Sequence, residues 1–428
     1  MPSDTIFALS SGAPPAGIAV IRVSGPQAGP ALHALARRLP QPRVASLTLL
    51  RDPGDGAPLD RALILWLPGP STVTGEDLAE LHCHGGRAVI AAVEAALAAQ
   101  PGLRRAEAGE FTRRAFENGR MDLNAVEGLS DLLAAETQHQ RRAALMMAEG
   151  HFSRRIDRWR EHVLDLSAMA EAALDFSDED DVPDADIEDR LNARIRILAD
   201  DVAAVLSAPS AERLRDGVRV VLAGPPNAGK STLLNALVGR EAAIVSDIAG
   251  TTRDRIEAPA AIDGVAFLFT DTAGLRDETA DAIEAIGMDR AKAALAAADI
   301  ILWLGPPDES PRSDALLIAA QCDHLHHARH PGLRVSAQTG EGMGVLRRAL
   351  LERANALLPG EGEYALHARQ RQGATMVHDH LDAAGRTGDL LLCAEELRQA
   401  RGALDVLSGR AGTEDMLDRL FSGFCIGK

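Results

Sequence analysis

The chain has 428 residues, a length that suggests two or three domains, and is 46% hydrophobic but only 3% aromatic. Its cores must therefore be built from Ala, Leu, Ile and Val. A formal net charge of −17 excludes a protein coated in basic surface, so any nucleic-acid contact has to be a local patch.

The opening "MPSDTIFALS" lacks the charged and apolar regions of a signal peptide, and no apolar run approaches the roughly 18 residues that a membrane span needs. A soluble, cytoplasmic protein is expected. Residues 1–118 mix short β-like runs, "AGIAVIRVSG" and "RALILWLPG", with Gly/Pro turns and one Ala-rich helix from about Arg87 to Ala99, the grammar of an α+β domain. Within it "HCHGG" places His82, Cys83 and His84 together like metal ligands. Neighbouring side chains on a strand point to opposite faces, however, which disfavours that reading.

From 119 to 213 apolar residues recur at spacings of three and four, in "LNAVEGLSDLLAAETQHQRRAALMMAEG" and "RRIDRWREHVLDLSAMAEAALDF", and predict helices. The acidic run "DFSDEDDVPDADIED" reads as a solvated connection, or alternatively as a patch that repels a phosphate-rich partner. Residues 214–357 alternate strand, loop and helix. Residues 358–428 return to helical grammar, with "RLFSGF" closing a last helix. The fold class expected is multidomain α/β + α: an α/β domain inserted into a helical domain whose two separated segments bury their apolar faces against each other.

The strongest local signal is "VRVVLAGPPNAGKSTLLNAL". An apolar strand runs into a G-x-x-x-x-G-K-S loop and an amphipathic helix, the context that a phosphate-binding loop requires. Backbone N–H groups from Asn227 and Ala228 through Gly229 to Thr232 would cradle phosphates at a helix N-terminus. Lys230 would reach the β/γ-phosphates, and the Ser231 hydroxyl would ligate Mg²⁺. Further on, "VAFLFTDTAG" is a strand ending in Asp271-Thr272-Ala273-Gly274, with Asp271 placed for the Mg²⁺ shell and Gly274 for the γ-phosphate. Between them "DIAGTTRD", from Asp247 through Ala249 and Gly250, offers Thr252 as a second hydroxyl for the metal. Three such motifs in this order resemble the GTPases of the translation-factor class.

Leu275 stands where Ras-like GTPases carry a water-orienting glutamine, so another residue must take that role; Glu284 in "DAIEAIGMDRA" is the nearby candidate, with a solvated helix-start glutamate as its plain alternative. Asn227 could present its amide oxygen to a monovalent cation, and K⁺ there would add positive charge between the β- and γ-phosphates. Guanine selection is weaker on the page. In "LLIAAQCDHL", Asp323 stands where an N-K-x-D loop has its aspartate, but Ala320 and Gln321 replace Asn and Lys. The loop Ser336-Ala337-Gln338 does suit an approach to the base. The strands "DIILWL" and "ALLIAA" are joined by "GPPDESPRSD", too short for the usual crossover helix. GTP is the favoured nucleotide, and base affinity is expected to be weak.

Motifs along the whole chain resemble the MnmE (TrmE) family of tRNA wobble-uridine-modifying GTPases: "DTIFALSSGAPPAGIAVIRVSG", "TGEDLAELHCHGG", "GEFTRRAFENGRMDLNAVEGLSDLL", "LDFSDEDDV" and the final "FCIGK". The resemblance implies a homodimeric, K⁺-dependent GTPase. With the FAD protein MnmG it adds an aminomethyl or carboxymethylaminomethyl group to U34 of certain tRNAs, taking the one-carbon unit from a tetrahydrofolate such as 5-formyltetrahydrofolate. It implies folate contacts at Arg22, Glu80, Arg120 and Lys428, with Arg120 standing where the family has lysine. Cys425 is implied as a catalytic residue. Asn227, Ser246, Ile248 and Thr251 would hold K⁺, Ser231 and Thr252 would hold Mg²⁺, and Glu284 would organise the attacking water. The domains implied are 1–118 (folate binding and dimerisation), 119–213 and 358–428 (helical), and 214–357 (G domain).

Other features have plainer readings. Cys425 as a prenylation box would need Lys428 at the last position, an unusual residue there. The scattered Cys83, Cys322, Cys393 and Cys425 form no CxxC pair, which fits a reducing compartment. Arg141-Arg142 and Arg154-Arg155 read as solvated helix faces, with an assisting tRNA contact as the alternative, and "CDHLHHARH" as an exposed polar loop, with adventitious metal binding as its alternative. The competing functions are a regulatory or ribosome-assembly GTPase switch, and a scaffold homologue that hydrolyses slowly with altered base specificity.

Overall fold

The computed structural model describes residues 4–175, 184–209, 211–239, 257–271, 291–323, 331–360, 365–410 and 414–427. The chain divides into two compact units, Met1–Ser130 with Asp405–Lys428, and Asp131–Leu404.

In the first unit β1 (Thr5–Leu9), β2 (Ala16–Ser24), β3 (Ser46–Arg51), β4 (Pro58–Leu67), β5 (Leu78–Gly85) and β6 (Leu103–Arg105) form a sheet in the order β3-β4-β5-β2-β1-β6. All pairings are antiparallel except that of β6 with β1. The period of two sends Ile21, Val23, Ala79, Leu81 and Cys83 to one face. There helices α1 (Ala28–Ala36) and α2 (Arg87–Ala98) bury Leu32, Leu35, Val93 and Leu97 against them. The Ala-rich helix expected near Arg87 is α2. On the opposite face α3 (Glu110–Glu117) packs Phe111 on Ile6 and Ala8. Helix α4 (Leu123–Ala134) is started by Asp122, whose Oδ1 accepts the Ala125 N–H at 2.9 Å. The last helix, Glu414–Ser422, together with Phe424 just beyond it, packs Phe421 and Phe424 on Val126.

Arg114, on α3, is almost wholly buried and gathers three carboxylates. It donates to Asp4 at 3.0 Å, to Glu76 at 3.2 Å and to Glu110 at 3.0 Å. Burial alone would raise the Glu110 carboxyl, but hydrogen bonds and charge from Arg104 and Arg114 outweigh it and hold the group below its ordinary range. Asp4 is lowered by the same balance.

The second unit begins with helices α5 (Gln138–Ala148), α6 (His151–Asp175), α7 (Asp184–Leu206) and α8 (Ala211–Asp216). Thr137 and Gln140 form a capping box at the start of α5. A second sheet follows, β7 (Val218–Ala223), β8 (Glu257–Ile262), β9 (Val265–Asp271), β10 (Ile300–Trp303), β11 (Leu316–Ala319) and β12 (Leu333–Arg334), in the order β12-β11-β10-β7-β9-β8. Only β8 runs antiparallel. Helices α9 (Lys230–Val238) and α10 (Met343–Asn355) cover one face, burying Leu233, Leu237, Leu346 and Leu350. Between β10 and β11 lies one 3₁₀ turn, Pro307–Glu309. Helix α11 (Ala368–Arg386), which follows the sheet in the chain, packs along α7, which precedes it. Leu191, Ile195, Leu198 and Val202 on α7 and Ala374, Val377 and Leu381 on α11 are buried at helical spacing. The flanking helical segments therefore do bury their faces against each other.

The central part of the acidic run, 176–183, and the histidine-rich segment 324–330 lie outside the described residues. Among the described residues no helix is long and apolar enough to cross a membrane.

The Arg114 network makes the first unit acid-sensitive. A carboxylate with a lowered folded pKa contributes stability that is complete above its unfolded value and disappears as pH falls through the folded one. Stability to urea should therefore fall as pH drops below about 4.5, the ordinary value for Glu110. Arg114→Ala, which leaves three carboxylates facing each other, should cost about 3–5 kcal/mol at neutral pH.

Candidate functional site

Five of the six residues of β7 are buried, which fixes its carboxyl end at the centre of the second sheet. The loop 224–229 leaves from that end and Lys230 starts α9, so the loop's backbone and the helix N-terminus face the crevice where open α/β sheets bind ligands. Asn227 adopts a left-handed backbone, φ +61°, and is exposed. Gly229 is also left-handed, φ +89°. At that φ a side chain is strained, and a Cβ would stand 3.1 Å from Gln321 Nε2, so the position favours glycine.

Lys230 is buried, and its Nζ donates to the carbonyls of Gly224 at 3.1 Å and Pro225 at 2.8 Å. The ammonium is thereby held over the loop it follows in sequence. Ser231 Oγ donates to Asp271 Oδ2 at 2.5 Å, and Asp271 is buried at the end of β9. Two hard oxygen donors, forty residues apart in the chain, converge beside the phosphate loop. Their chemistry fits Mg²⁺, which binds through one or two protein oxygens and substrate phosphates.

The base-side residues sit on one connected segment. Ala320 and Cys322 are buried, while Gln321 and Asp323 are exposed on the other side. Cys322 N–H donates to Val335 O at 3.2 Å, tying this segment to the loop at Ser336, Ala337 and Gln338. Ser336 is fully buried and its Oγ accepts the Thr339 N–H at 3.2 Å. The remaining predicted residues of this site, Ser246, Asp247, Ile248, Ala249, Gly250, Thr251, Thr252, Thr272, Ala273, Gly274 and Glu284, lie outside the described residues.

The first unit brings a second set together. Arg22 and Glu80 are cross-strand partners on β2 and β5, and Arg22 donates to Glu80 Oε1 at 3.0 Å and 3.2 Å. The Arg22 guanidinium also lies 5.8 Å from the ring centroid of Phe111. Glu80 Oε2 is bonded to His82 at 3.2 Å. The chain's end returns to this sheet: Ile426 bridges to Ala108, and a Cβ on Gly427 would lie 2.1 Å from the Leu9 carbonyl. That approach, with φ +97°, leaves room only for glycine. Leu9 is on β1, one residue beyond Ala8, the register partner of Arg22. The tail thus passes close to the Arg22–Glu80 pair, and Cys425 on it is exposed. Arg120 packs its side chain against Gly75 instead, 3.3 Å from that glycine's Cβ position. Lys428 lies outside the described residues.

The residues of the "HCHGG" cluster are turned to separate partners. His82 bonds Glu80, His84 bonds Asp60 at 2.7 Å, and Cys83 is buried on the other face. Burial, aided by the Asp60 charge, pushes the Cys83 thiol up to about 12, so it is not a nucleophile. Among the described residues no group of three or more His, Cys, Asp and Glu could hold a metal. Sequence reasoning missed Phe111 beneath Arg22, His82 on Glu80, and the contact of Gln321 with Gly229. Phe111 and Arg114 stand three apart in "EFTRRAF", a spacing that could have placed both on one helix face.

Two family models match the chain: the GTP-binding protein TrmE N-terminus over residues 5–120, and the MnmE helical domain over 123–425. The chain is 61% identical to the tRNA modification GTPase MnmE of Rhizorhabdus wittichii, over 100% of this chain and 97% of that protein. It is 58% identical to the protein of the same name from Novosphingobium aromaticivorans, over 100% of both. Among solved structures, the G domain of the T. maritima FeoB iron transporter aligns with 32% of this chain and 98% of that one, at 25% identity and a TM-score of 0.23, which adds nothing to these matches.

The Ser231–Asp271 pair yields a direct test. Ser231→Ala should lower nucleoside triphosphate hydrolysis about 100-fold and raise the Mg²⁺ concentration needed for half-maximal rate, measured by phosphate release.

Proposed function

Because the chain belongs to the MnmE family of tRNA modification GTPases, we propose that it is a K⁺-dependent GTPase acting on the wobble uridine, U34, of certain tRNAs. With an FAD protein of the MnmG type it adds an aminomethyl or carboxymethylaminomethyl group at carbon 5, drawing on a tetrahydrofolate one-carbon unit. Identity of 61% along the entire chain, with an intact phosphate loop, carries this reading.

For GTP hydrolysis the residues take the following roles. Lys230 neutralises charge on the β/γ-phosphates, and α9 directs its N-terminal N–H groups at them. Ser231, Thr252 and Asp271 would hold Mg²⁺, which would supply charge neutralisation at the phosphates. Asn227 with Ser246, Ile248 and Thr251 would hold K⁺. Glu284 orients the attacking water in place of the glutamine that Leu275 replaces. Asp323 accepts from the guanine N1–H and N2 amine, and the loop Ser336–Gln338 closes on the base.

Folate binding is assigned to the first unit. The half-buried Arg22–Glu80 pair offers a cation for a glutamate tail and a carboxylate for a pterin N–H edge. The described end of the chain returns to this sheet at Ile426 and Gly427, which supports a role there for Cys425 just before them; Lys428 is assigned to the same site by family resemblance. On this reading 1–118 is the folate and dimerisation domain, 119–213 and 358–428 are the helical domain, and 214–357 is the G domain. The packing of α7 on α11 supports a helical domain made of two chain segments. The working form is a homodimer joined by its FAD partner.

The test is steady-state GTP and ATP hydrolysis in KCl and in NaCl. Turnover should be at least about tenfold faster with GTP in K⁺, the scale of a well-placed charge at the transition state, and Asn227→Ala should remove the K⁺ stimulation. Turnover indifferent to cation would sink the K⁺ assignment.

A further inference from the structure

We infer that Gln321 is a nucleotide-contacting residue whose carboxamide lies between the phosphate loop and the purine and tunes base preference. This rests on the chain being a guanine-nucleotide hydrolase, and extends it to a residue that departs from the expected N-K-x-D pattern.

The placement comes from the sheet. β7 and β11 are parallel with β10 between them, so the loops that follow both strands leave from the same carboxyl edge. After β11 exposure alternates: Ala320 is packed in the core and Cys322 is buried beside Glu341, while Gln321 and Asp323 are exposed. Ala320 therefore cannot offer the polar group that an asparagine would. Gln321 has φ +57°, a left-handed backbone that a non-glycine residue keeps only where its surroundings hold it, and that recurs at ligand clamps.

The Gln321 side chain reaches across the crevice to the phosphate loop. Its Nε2, Cγ and Cδ lie 3.1, 3.6 and 3.7 Å from the position of a Cβ on Gly229, the residue before Lys230. The carboxamide is exposed and carries two N–H donors and an acceptor oxygen. It stands on the same side as Asp323, the acceptor for guanine. A purine whose phosphates lie on loop 224–229 and whose Watson–Crick edge meets Asp323 must pass this carboxamide.

The chemistry separates Gln321 from a lysine at the same place. A lysine is a donor only and repels a 6-amino group. A carboxamide donates to the 6-oxo group and N7 of guanine or hypoxanthine, and by turning over it accepts from the 6-amino group of adenine. Discrimination against adenine then falls mainly on Asp323.

The experiment is calorimetric binding of GDP, IDP and ADP to the full chain and to Gln321→Ala, Gln321→Lys and Asp323→Asn, with thermal unfolding of nucleotide-free protein as the folding control. Gln321→Ala should weaken all three diphosphates about 3- to 10-fold, the scale of one or two neutral hydrogen bonds. Gln321→Lys should raise the GDP-to-ADP affinity ratio at least about threefold, a shift that a merely structural role would not produce. Parent-like binding of all three nucleotides by both Gln321 variants overturns the proposal. If Asp323→Asn still loses GDP relative to ADP in that case, the guanine site stands and only Gln321 is misassigned. If the parent chain binds none of the three, the nucleotide reading falls with it.

Discussion

A domain inserted into another must enter and leave at one place, and the second unit is organised around that clasp. The Ala211 N–H donates to the Leu366 carbonyl at 3.0 Å, and the Ala368 N–H to Glu212 Oε1 at 3.0 Å, so the chain before the sheet is tied to the chain after it. Arg371 caps the end of α7 by donating to the Leu206 and Ala208 carbonyls, groups that a helix leaves unsatisfied. Gln140 does the same for α8, donating to Leu214 O and Arg215 O at 3.0 and 3.2 Å. With the two strands of chain held there, α7 and α11 lie side by side and share one apolar seam. Without the clasp those faces would be separated by the whole length of the sheet's sequence.

The same anchoring reaches the nucleotide site through β-structure. β7 starts at Val218, two residues after α8 ends, and delivers the phosphate loop at its other end. β9 starts at Val265, beside Gly264, whose carbonyl is bonded to His139 of α5 at 3.1 Å, and it ends at Asp271. Both strands that carry phosphate and metal groups are therefore held at their far ends by the helical segments. Six or seven residues of strand, roughly 20 Å at about 3.3 Å each, separate the anchor from the chemistry.

Legibility in the sequence followed the range of each interaction. The phosphate loop was readable because its glycines, lysine and serine are adjacent and because strand, loop and helix follow in register. The α7 and α11 seam was readable as apolar spacing, though which helices would meet was not. The Arg22–Glu80 pair is 58 residues apart and came only from family resemblance; its basis is a strand register that turn lengths decide. The Arg114 hub was hidden for a different reason. A buried arginine looks like any surface arginine until the positions of Asp4, Glu76 and Glu110 are known. Gln321 was visible as a departure, but its contact with Gly229 depends on two loops separated by a third strand.

Lysine usage sharpens the meaning of that departure. Of 45 Lys and Arg residues only three are lysine, Lys230, Lys292 and Lys428, so this chain places arginine almost everywhere a cation is wanted. At Lys230 a compact ammonium suits the slot in a way that a planar guanidinium does not. Its Nζ fits between two loop carbonyls in a buried slot. At 321 the chain keeps neither lysine nor arginine, and an arginine there would crowd Gly229, which already has a neighbour at 3.1 Å from its Cβ position. A neutral carboxamide satisfies the space but removes a cation from beside a highly charged ligand. In a protein with a net charge of −17, that leaves Lys230 and the N-terminus of α9 as the described groups beside the phosphate loop that can oppose phosphate charge.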